Sequence, residues 1–235
     1  MTMLARLMMG LILGAIPGAG WAKGPVVVEL FTAQGCASCK PANALVDKLA
    51  DRPGVIALTW SVDYWDYLGW KDTFAKPGFG ARQQAFAKRL GPRDVYTPQV
   101  IVNGAAQVSG GDAVGVEALI AKSERPRRHP PALRLEADGR VTVGAGQRSR
   151  PPADVWLIRY DPRKQDVEVT AGDNQGATVT LRNIVRQITR LGSWSGRAVV
   201  FKTPAATEPG LGAVVLVEGA KGGPVLAVTR LKPKG

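Results

Sequence analysis

The feature that most restricts the fold is a pair of cysteines, Cys36 and Cys39, placed between an apolar strand and an amphipathic helix. Pro25 to Thr32 is short, β-branched and almost wholly apolar, which predicts a buried strand. A helix is predicted from Cys36 to Ala50, because apolar residues recur there at i, i+3, i+4 and i+7. The turn between the two elements brings Cys36 to the helix N-terminus.

This position predicts redox chemistry. Two intervening residues leave the sulfur atoms of the two cysteines near enough to bond. The unpaired N–H groups of the helix N-terminus, together with Lys40, favour a thiolate on Cys36. The thiolate is the attacking species in disulfide exchange. We therefore expect Cys36 to be the nucleophile and Cys39 to be the buried resolving thiol.

Two other interpretations of the cysteine pair stay open. One is a purely structural disulfide, since exported chains oxidise readily, although so short a loop removes little chain entropy. The other is a Cu(I) site built from the two thiolates, Cys36 and Cys39. Few other soft ligands are available, because all four methionines lie within residues 1–22 and the single histidine, His129, lies in a proline-rich stretch. His129 is assigned no role, and no cofactor is expected.

The first half of the chain continues as alternating strands and helices, in the order β-α-β-insert-α-β-β-α. Early alternation predicts parallel strands, and Asn103-Gly104 predicts a hairpin that adds an antiparallel edge. Asp112 is a good N-cap for the last helix. The remaining elements are predicted at 55–62 (strand), 79–90 (helix), 99–102 and 106–109 (strands) and 113–122 (helix).

Beyond residue 125 the pattern changes. The prolines of residues 126–132 predict an extended linker, and residues 133–235 contain short strands separated by turns, which predict an all-β sandwich-like domain. The stretch from Ile184 to Leu191, either helical or extended, interrupts this series. The expected fold is an α/β domain over residues 23–125 followed by this second domain.

The first 22 residues have the plan of a secretory signal peptide. Arg6 precedes an apolar run from Leu7 to Ile16, and a segment of small residues leads to Ala22, after which we expect cleavage. The run is short and broken by glycine and proline, so an uncleaved membrane anchor is the weaker alternative. A periplasmic or secreted location is therefore predicted.

The strand, the cysteine pair and a Thr97-Pro98 step before an apolar strand together resemble the thioredoxin superfamily. The resemblance implies that residues 23–125 form an α/β thioredoxin-like domain in which a cis Pro98 faces the cysteines and shapes a substrate cleft; an ordinary trans proline is the alternative. The run from Thr97 to Asp112 is similar to glutaredoxins. That likeness implies a peptide or thiol contact surface at Thr97, Gly110 and Gly111, without implying the use of glutathione.

A closer resemblance covers the whole mature chain. Its motifs are Gly35-Cys-Ala-Ser-Cys, the aromatic-acidic segment from Val62 to Trp70, Tyr96-Thr-Pro-Gln, and, in the second half, Gly172 to Gly176 and Leu191 to Gly196. These resemble an exported bacterial thioredoxin-like family of unassigned function. The family supplies a fold but no substrate. Lys40 stands where proline is common in that family.

The aromatic-acidic segment is a second candidate for the site. Asp63 closes the second strand, at the sheet edge that carries the turn before Cys36. A carboxylate there could move a proton for Cys39, and Trp65 could cover the site. The alternative is that Trp65 and its neighbours only pack beneath a long insert. Asp66 is a weaker candidate.

Two alternative roles stay open for several polar or aromatic residues elsewhere. Arg82 and Gln83 either orient the Thr97-Pro98 loop or lie on a solvated helix face. Asn174, Asn183 and Trp194 stand among the short strands of the second half. Structural hydrogen bonding is the plainer explanation for them, and a partner-binding groove is the alternative.

The formal net charge is +12, and most of the excess lies in the second half. Residues 126–235 carry 18 basic and nine acidic residues. An anionic partner, such as a membrane surface or a cell-wall polymer, is one explanation; a soluble arginine-rich surface is the plainer one. No nucleic-acid binding is expected, because an exported chain without a recognition motif gives no reason for it.

Together these features predict an exported thiol-disulfide oxidoreductase acting on protein thiols or small thiols, with an unidentified redox partner. No histidine lies between the cysteines, which predicts a redox potential nearer the reducing side. The alternative function is a Cu(I)-binding or partner-recognition module in which the cysteine pair is not catalytic.

Overall fold

The structure is a computed structural model that describes residues 24–91, 94–124 and 130–231. The predicted signal peptide, His129 and residues 126–129 of the predicted linker lie outside these ranges. Within them, no helix combines the length and the apolar character needed to cross a membrane.

The first half contains the predicted order of elements. Strand β1 (Val26–Thr32) leads to helix α1 (Lys40–Leu49), with a 3-10 turn at Ala37–Cys39 between them. The series continues with β2 (Val55–Ser61), a 3-10 turn (Asp66–Leu68), α2 (Pro77–Leu90), β3 (Gln99–Val102), β4 (Ala106–Ser109) and α3 (Ala113–Ser123). Asp112 caps α3 as predicted, since its side chain accepts from the Gly115 N–H at 2.8 Å.

The second half is built from strands. They are β5 (Leu133–Leu135), β6 (Arg140–Val143), β7 (Ala153–Asp161), β8 (Gln165–Val169), β9 (Ala177–Leu181), β10 (Ile184–Trp194), β11 (Val199–Lys202), β12 (Gly212–Glu218) and β13 (Val225–Leu231), with a 3-10 turn at Gly172–Asn174. The described residues therefore hold 13 strands and three α-helices, which makes the protein mainly β.

One sheet runs through both halves. Its eight strands lie in the order β13-β12-β7-β10-β2-β1-β3-β4, with smaller sheets β11-β6-β5 and β8-β9. As predicted, β1 and β2 are parallel, and β3 and β4 form an antiparallel hairpin at the edge. The centre of the large sheet is the parallel contact between β10 and β2, where Ile184 faces Thr59.

This contact shows that the expected fold class, an α/β thioredoxin-like domain followed by a separate all-β sandwich-like domain, was wrong. Every residue of β2 is buried, and a buried strand must pair its backbone groups on both sides. The second half supplies that pairing. The Thr59 N–H donates to the carbonyl oxygen of Asn183 at 3.0 Å, and the Asn183 side chain donates to the carbonyl oxygen of Ala57 at 2.8 Å.

The two faces of the sheet follow from the alternation of β1. Val27 and Phe31 point to one side and Val28 and Leu30 to the other, because successive strand residues face opposite ways. The second pair packs under α1 and α3. The first pair belongs to a core that also contains apolar residues from β7 and β12, so the halves share one hydrophobic interior.

A buried ionic group reinforces this shared core. Arg82 of α2 donates to both carboxylate oxygens of Glu29 in β1, at 2.7 and 2.9 Å, and to Glu218 in β12 at 2.8 Å. Its guanidinium also lies over the ring of Phe86, 4.8 Å from the centroid. The expected solvated position for Arg82 was wrong, since its side chain is 5% exposed.

Two carboxylates share this one cation, and their protonation is affected. Burial raises the pKa of Glu218, and the negative charge of Glu29 raises it further, while the Arg82 charge opposes the rise. For Arg82, burial alone would lower the pKa, but the charges of Glu218 and Glu29 outweigh it and raise the pKa. Burial thus favours the protonated form of Glu218.

Candidate functional site

Cys36 and Cys39 form a disulfide at the start of the first helix. The sulfur atoms are 2.10 Å apart and the Cα atoms 5.4 Å apart. Cys36 precedes the 3-10 turn, and Cys39 is the N-cap residue of α1. Neither helix start has a side-chain cap or an acidic residue in its first turn. The free N–H groups there favour negative charge on a sulfur atom released by reduction.

The Thr97-Pro98 loop lies against the sulfur atom of Cys36. The peptide bond between Thr97 and Pro98 is cis, as predicted. Thr97 Oγ1 lies 3.4 Å from Cys36 Sγ, and it accepts a hydrogen bond from the indole N–H of Trp65 at 2.8 Å. Because the Thr97 oxygen already serves as acceptor, its own hydrogen is available to the sulfur of Cys36.

Both sulfur-bearing side chains are nevertheless covered. Cys36 is 1% exposed and Cys39 is fully buried, although Ala37 and Ser38 between them are exposed. The expected buried position of Cys39 is confirmed. Trp65 packs against the buried cluster that contains both cysteines, and it lies close to Gly35 in the turn before Cys36, where a Cβ on Gly35 would be 3.7 Å from Trp65 Cβ. Attack on Cys36 therefore requires a small displacement of the surrounding side chains.

A hydrogen-bond network holds the turn that delivers Cys36. The Gln34 N–H donates to the carboxylate of Asp72 at 2.7 Å, and the Trp70 indole donates to the Gln34 side chain at 2.8 Å. Asn174, from the second half of the chain, donates to the carbonyl oxygen of Gln34 at 2.7 Å. The second half thus helps to fix the position of the cysteine pair, which supports the structural interpretation of Asn174.

Asp72 is the buried acid of this network. Burial raises its pKa, and the N–H donors of Gln34, Phe74 and Ala75 oppose the rise. Burial likewise raises the pKa of Tyr64. The Tyr64 hydroxyl makes no hydrogen bond of good geometry, although Gln83 and Thr97 lie near enough to lessen the effect.

The other predicted site residues take different positions. Asp63 Oδ1 lies 3.8 Å from the point where a Cβ on Gly80 would stand, so its carboxylate faces α2, and no hydrogen bond joins it to either cysteine among the described residues. Trp65 is in the site. Gly110 has no room for a side chain, since a Cβ there would be 2.9 Å from Pro98 Cβ; Gly111 is exposed.

Gly110 therefore acts by close packing. Its N–H donates to the carbonyl oxygen of Pro98 at 2.8 Å, and a Cβ would also lie 2.9 Å from Ala42 in α1. Because Gly110 has no side chain, the Pro98 loop can pack closely against α1, the helix that begins at the cysteine pair. Whether Gly110 and Gly111 contact a substrate stays a prediction.

Within residues 24–91, 94–124 and 130–231, no group of three or more histidine, cysteine or acidic side chains is arranged to hold a metal ion. The Cu(I) alternative consequently relies on the thiolates of Cys36 and Cys39 after reduction. A groove of about 360 Å³ begins beside the pair, where Lys40 and Asn43 of α1 face Lys164 and Thr180.

Comparison with known proteins gives the family. Residues 27–218 match the family described as a protein of unknown function, DUF1223. The chain belongs to the DUF1223 family. This confirms the expected membership of a family of unassigned function. No curated protein matches the sequence significantly.

Two solved structures are similar to this DUF1223 protein. A protein from Agrobacterium tumefaciens is 31% identical, with a TM-score of 0.73, and the match covers 91% of this chain and 96% of that one. HBP35 of Porphyromonas gingivalis is 15% identical, with a TM-score of 0.61, over 90% of this chain and 76% of that one. The second likeness concerns the fold alone.

Sequence reasoning missed the residues that hold the cysteine turn. In the aromatic-acidic segment, the sequence singled out Asp63 and Trp65 but not Asp72. Gln34 was predicted only to lie in the turn before Cys36. The contacts that join Asp72 to Gln34, and Gln34 to Asn174, link residues far apart along the chain, so no local pattern marks them; the bonds of Asp72 to Phe74 and Ala75 are a local signal. The Trp65–Thr97 bond joins residues 32 positions apart.

Proposed function

We propose that this protein is an exported, periplasmic or secreted, thiol-disulfide oxidoreductase that exchanges its Cys36–Cys39 disulfide with protein thiols or small thiols, in the manner of thioredoxin-superfamily enzymes. The observation that carries the proposal is the hydroxyl of Thr97, 3.4 Å from Cys36 Sγ and oriented by Trp65. A disulfide that served only as a cross-link would gain nothing from a donor aimed at one sulfur.

The exchange proceeds in two steps. A substrate thiolate attacks Cys36 Sγ, a mixed disulfide forms, and Cys39 leaves as a thiolate that takes a proton. A second substrate thiolate then attacks the substrate sulfur of the mixed disulfide and releases Cys36 as a thiolate. The substrate dithiol loses two electrons and becomes a disulfide, while the protein gains them; the reverse sequence reduces a substrate.

Each local feature has a role in these steps. The helix N-terminus and the Thr97 hydroxyl stabilise Cys36 when it is released, which lowers the barrier of the second step. Cys36 and Cys39 are both buried, so the choice of Cys36 as the sulfur that is attacked rests on the Thr97 loop that lies against it. The side chain of Trp65 limits access, so small thiols should enter more readily than thiols within a folded protein.

The test is trapping of the mixed disulfide. Cys39→Ser should accumulate an adduct with glutathione on Cys36, whereas the matched Cys36→Ser variant should form much less on the buried Cys39. Redox titration of the unaltered protein against glutathione should place the midpoint nearer the reducing enzymes, as the Ala37-Ser38 pair predicts. The absence of exchange in both experiments, with tight Cu(I) binding by the anaerobically reduced protein, would favour the copper-binding alternative.

A further inference from the structure

A cluster of arginines without carboxylate partners lines a cleft to which neither cysteine contributes. Arg148, Arg150 and Arg197 line a cleft of about 330 Å³, together with Ser149, Pro152 and Ser195. No acidic residue lines it. The cleft therefore brings three positive charges to one small volume, without a local countercharge.

These three arginines share one cleft, which sets them apart from the others in the described ranges. Most arginines elsewhere are paired with acids, as Arg52 is with Glu117, or donate to backbone carbonyl oxygens, as Arg159 does; Arg134 is an isolated exposed exception. Arg148, Arg150 and Arg197 have neither kind of partner among residues 24–91, 94–124 and 130–231. Guanidinium groups that repel one another at one place gain stability when an anion joins them.

The backbone keeps the two arginine-bearing segments together. The Gly146 N–H donates to the carbonyl oxygen of Gly196 at 3.0 Å, and the Trp194 indole donates to the carbonyl oxygen of Gly144 at 3.1 Å. Gly196 has φ +106°, and a Cβ there would lie 2.9 Å from the Cα of Arg148. Only glycine permits this close approach, so the cleft is a built feature of the fold.

A second cavity continues from the first. It has a volume of about 490 Å³, shares Arg148 and Ser149 with the arginine cleft, and has apolar walls that include Pro130, Pro131, Trp194 and Leu226. It also reaches Asn103, which accepts from the Val27 N–H at the beginning of β1. Cys36 follows the end of that strand, about 20 Å away at the usual rise per residue. Neither cysteine lines either cavity, so the arginine cleft is a different site from the disulfide.

We propose that the arginine cleft binds a phosphoryl group, with the adjoining cavity accommodating the remainder of an esterified ligand. Arginine forks match the oxygen atoms of phosphate in a bidentate manner. The non-bridging oxygens of a tetrahedral phosphoryl group point in different directions and can engage more than one guanidinium group, whereas the two oxygens of a carboxylate lie in one plane. The phosphoryl chemistry is shared by free phosphate esters and by the headgroups of anionic phospholipids.

The experiment is calorimetric titration of the oxidised protein with inorganic phosphate, beside flotation with vesicles of phosphatidylcholine alone or with phosphatidylglycerol. Arg148→Ala, Arg150→Ala and Arg197→Ala combined should weaken phosphate binding at least tenfold. The control removes three exposed cations elsewhere, Lys48, Lys122 and Arg134 to alanine, and should stay within twofold of the unaltered protein. Thermal unfolding checks that both triple variants fold.

The outcomes separate the sources and decide the proposal. Binding to dissolved phosphate indicates a free ligand, and binding only to phosphatidylglycerol vesicles indicates a lipid headgroup; in the second case the variant comparison is made on vesicles. An equal loss of phosphate affinity in the two triple variants would show that binding depends on net charge alone, and this would overturn the proposal. Acetate binding as tightly as phosphate at equal ionic strength, or binding in neither assay, would also overturn it.

Discussion

Thr97 shows how one hydroxyl can be directed by its neighbours. Its oxygen accepts from the Trp65 indole, and this leaves its hydrogen for Cys36 Sγ. A hydrogen bond to the charged form of a thiol lowers the thiol pKa. Thr97 is therefore a positioning and stabilising residue for the sulfur released by reduction.

Replacing Thr97 by valine keeps the shape of the side chain but removes the donor. We expect Thr97→Val to raise the pKa of the reduced Cys36 thiol by about half a unit to one unit, equivalent to about 0.7–1.4 kcal/mol, and to slow exchange at neutral pH. Thr97→Ser, which retains the hydroxyl, should behave like the unaltered protein. The pH dependence of Cys36 alkylation measures both; equal profiles for the valine and serine variants would contradict the assignment.

Besides orienting Thr97, Trp65 is expected to limit access to Cys36. Trp65→Ala should speed the reduction of the disulfide by a small thiol several-fold, because it uncovers Cys36, which is 1% exposed. Trp70→Ala is the matched control: it removes another indole bonded to the same region, through Gln34. Stopped-flow reduction with dithiothreitol gives the rates. Equal acceleration in both variants would indicate a loosened turn and not a removed cover.

Glu218 gives the folded protein a pH dependence with a defined sign. Since burial raises its pKa, the folded protein holds this proton more tightly than the unfolded chain does. The contribution is fully present below the usual glutamate pKa of about 4.3 and is lost as the pH rises through the folded-state value.

Glu218→Gln should remove that loss, because the amide cannot ionise and its oxygen still accepts from Arg82. Denaturant unfolding between pH 4 and pH 8 should show the variant gaining stability relative to the unaltered protein as the pH rises. Glu29→Gln is the contrasting change: it weakens the two-point contact with Arg82 and should destabilise at pH 7, by up to about 3–5 kcal/mol. A Glu218→Gln profile parallel to the unaltered one would contradict the assigned proton.

At the scale of elements, the pairing of β10 with β2 determines the architecture, but the sequence pattern of β10 does not clearly predict a strand. The strand carries irregularities in register between Val185 and Gln187 and between Arg190 and Gly192. Each interrupts the period-two alternation by which a half-buried strand is recognised. A Cβ on Gly192 would lie 2.5 Å from the ring of Phe201, so this position requires glycine. Glycine is uncommon within strands, and its presence further weakens the sequence pattern that predicts β10.

The elements that local patterns could define were predicted well. The strand before Cys36, the helix after it, the Asn103-Gly104 turn and the Asp112 cap all depend on neighbouring residues. What failed was the fold class with a separate β-sandwich, since it depends on which strand pairs with the open side of β2. The proline-rich residues after Glu124 read as a linker, but the chain returns to the same sheet.

Asn183 holds the start of β10 against β2. It has φ +51°, and its side chain donates to the carbonyl oxygen of Ala57. Asn183→Ala should destabilise the protein by about 1–3 kcal/mol beyond any backbone effect, because a buried carbonyl group loses its partner. Lys221→Ala is the control, with a similar φ of +58° at an exposed site. Denaturant midpoints compare them, and equal losses would show that backbone conformation alone is responsible.

At the scale of the whole molecule, the protein should unfold as one unit. The large sheet, the Phe31-containing core and the Arg82 group all join the two halves. A fragment of residues 24–124 should therefore lack a cooperative thermal transition, whereas residues 24–231 should show a single one. Circular dichroism of both tests this. A fragment that melts cooperatively near the temperature of the longer chain would restore the two-domain interpretation.

The pairing of β2 with β10 also means that β2 is synthesised long before its partner strand. Ala57 and the Asn183 side chain that satisfies its carbonyl oxygen are 126 residues apart. At about 5–20 residues per second, a ribosome needs about 6–25 s to cover that distance. For that interval an apolar strand has one unpartnered edge, the kind of surface through which nascent chains join one another. A cell that makes this protein must keep β2 apart from other chains until its last third has emerged.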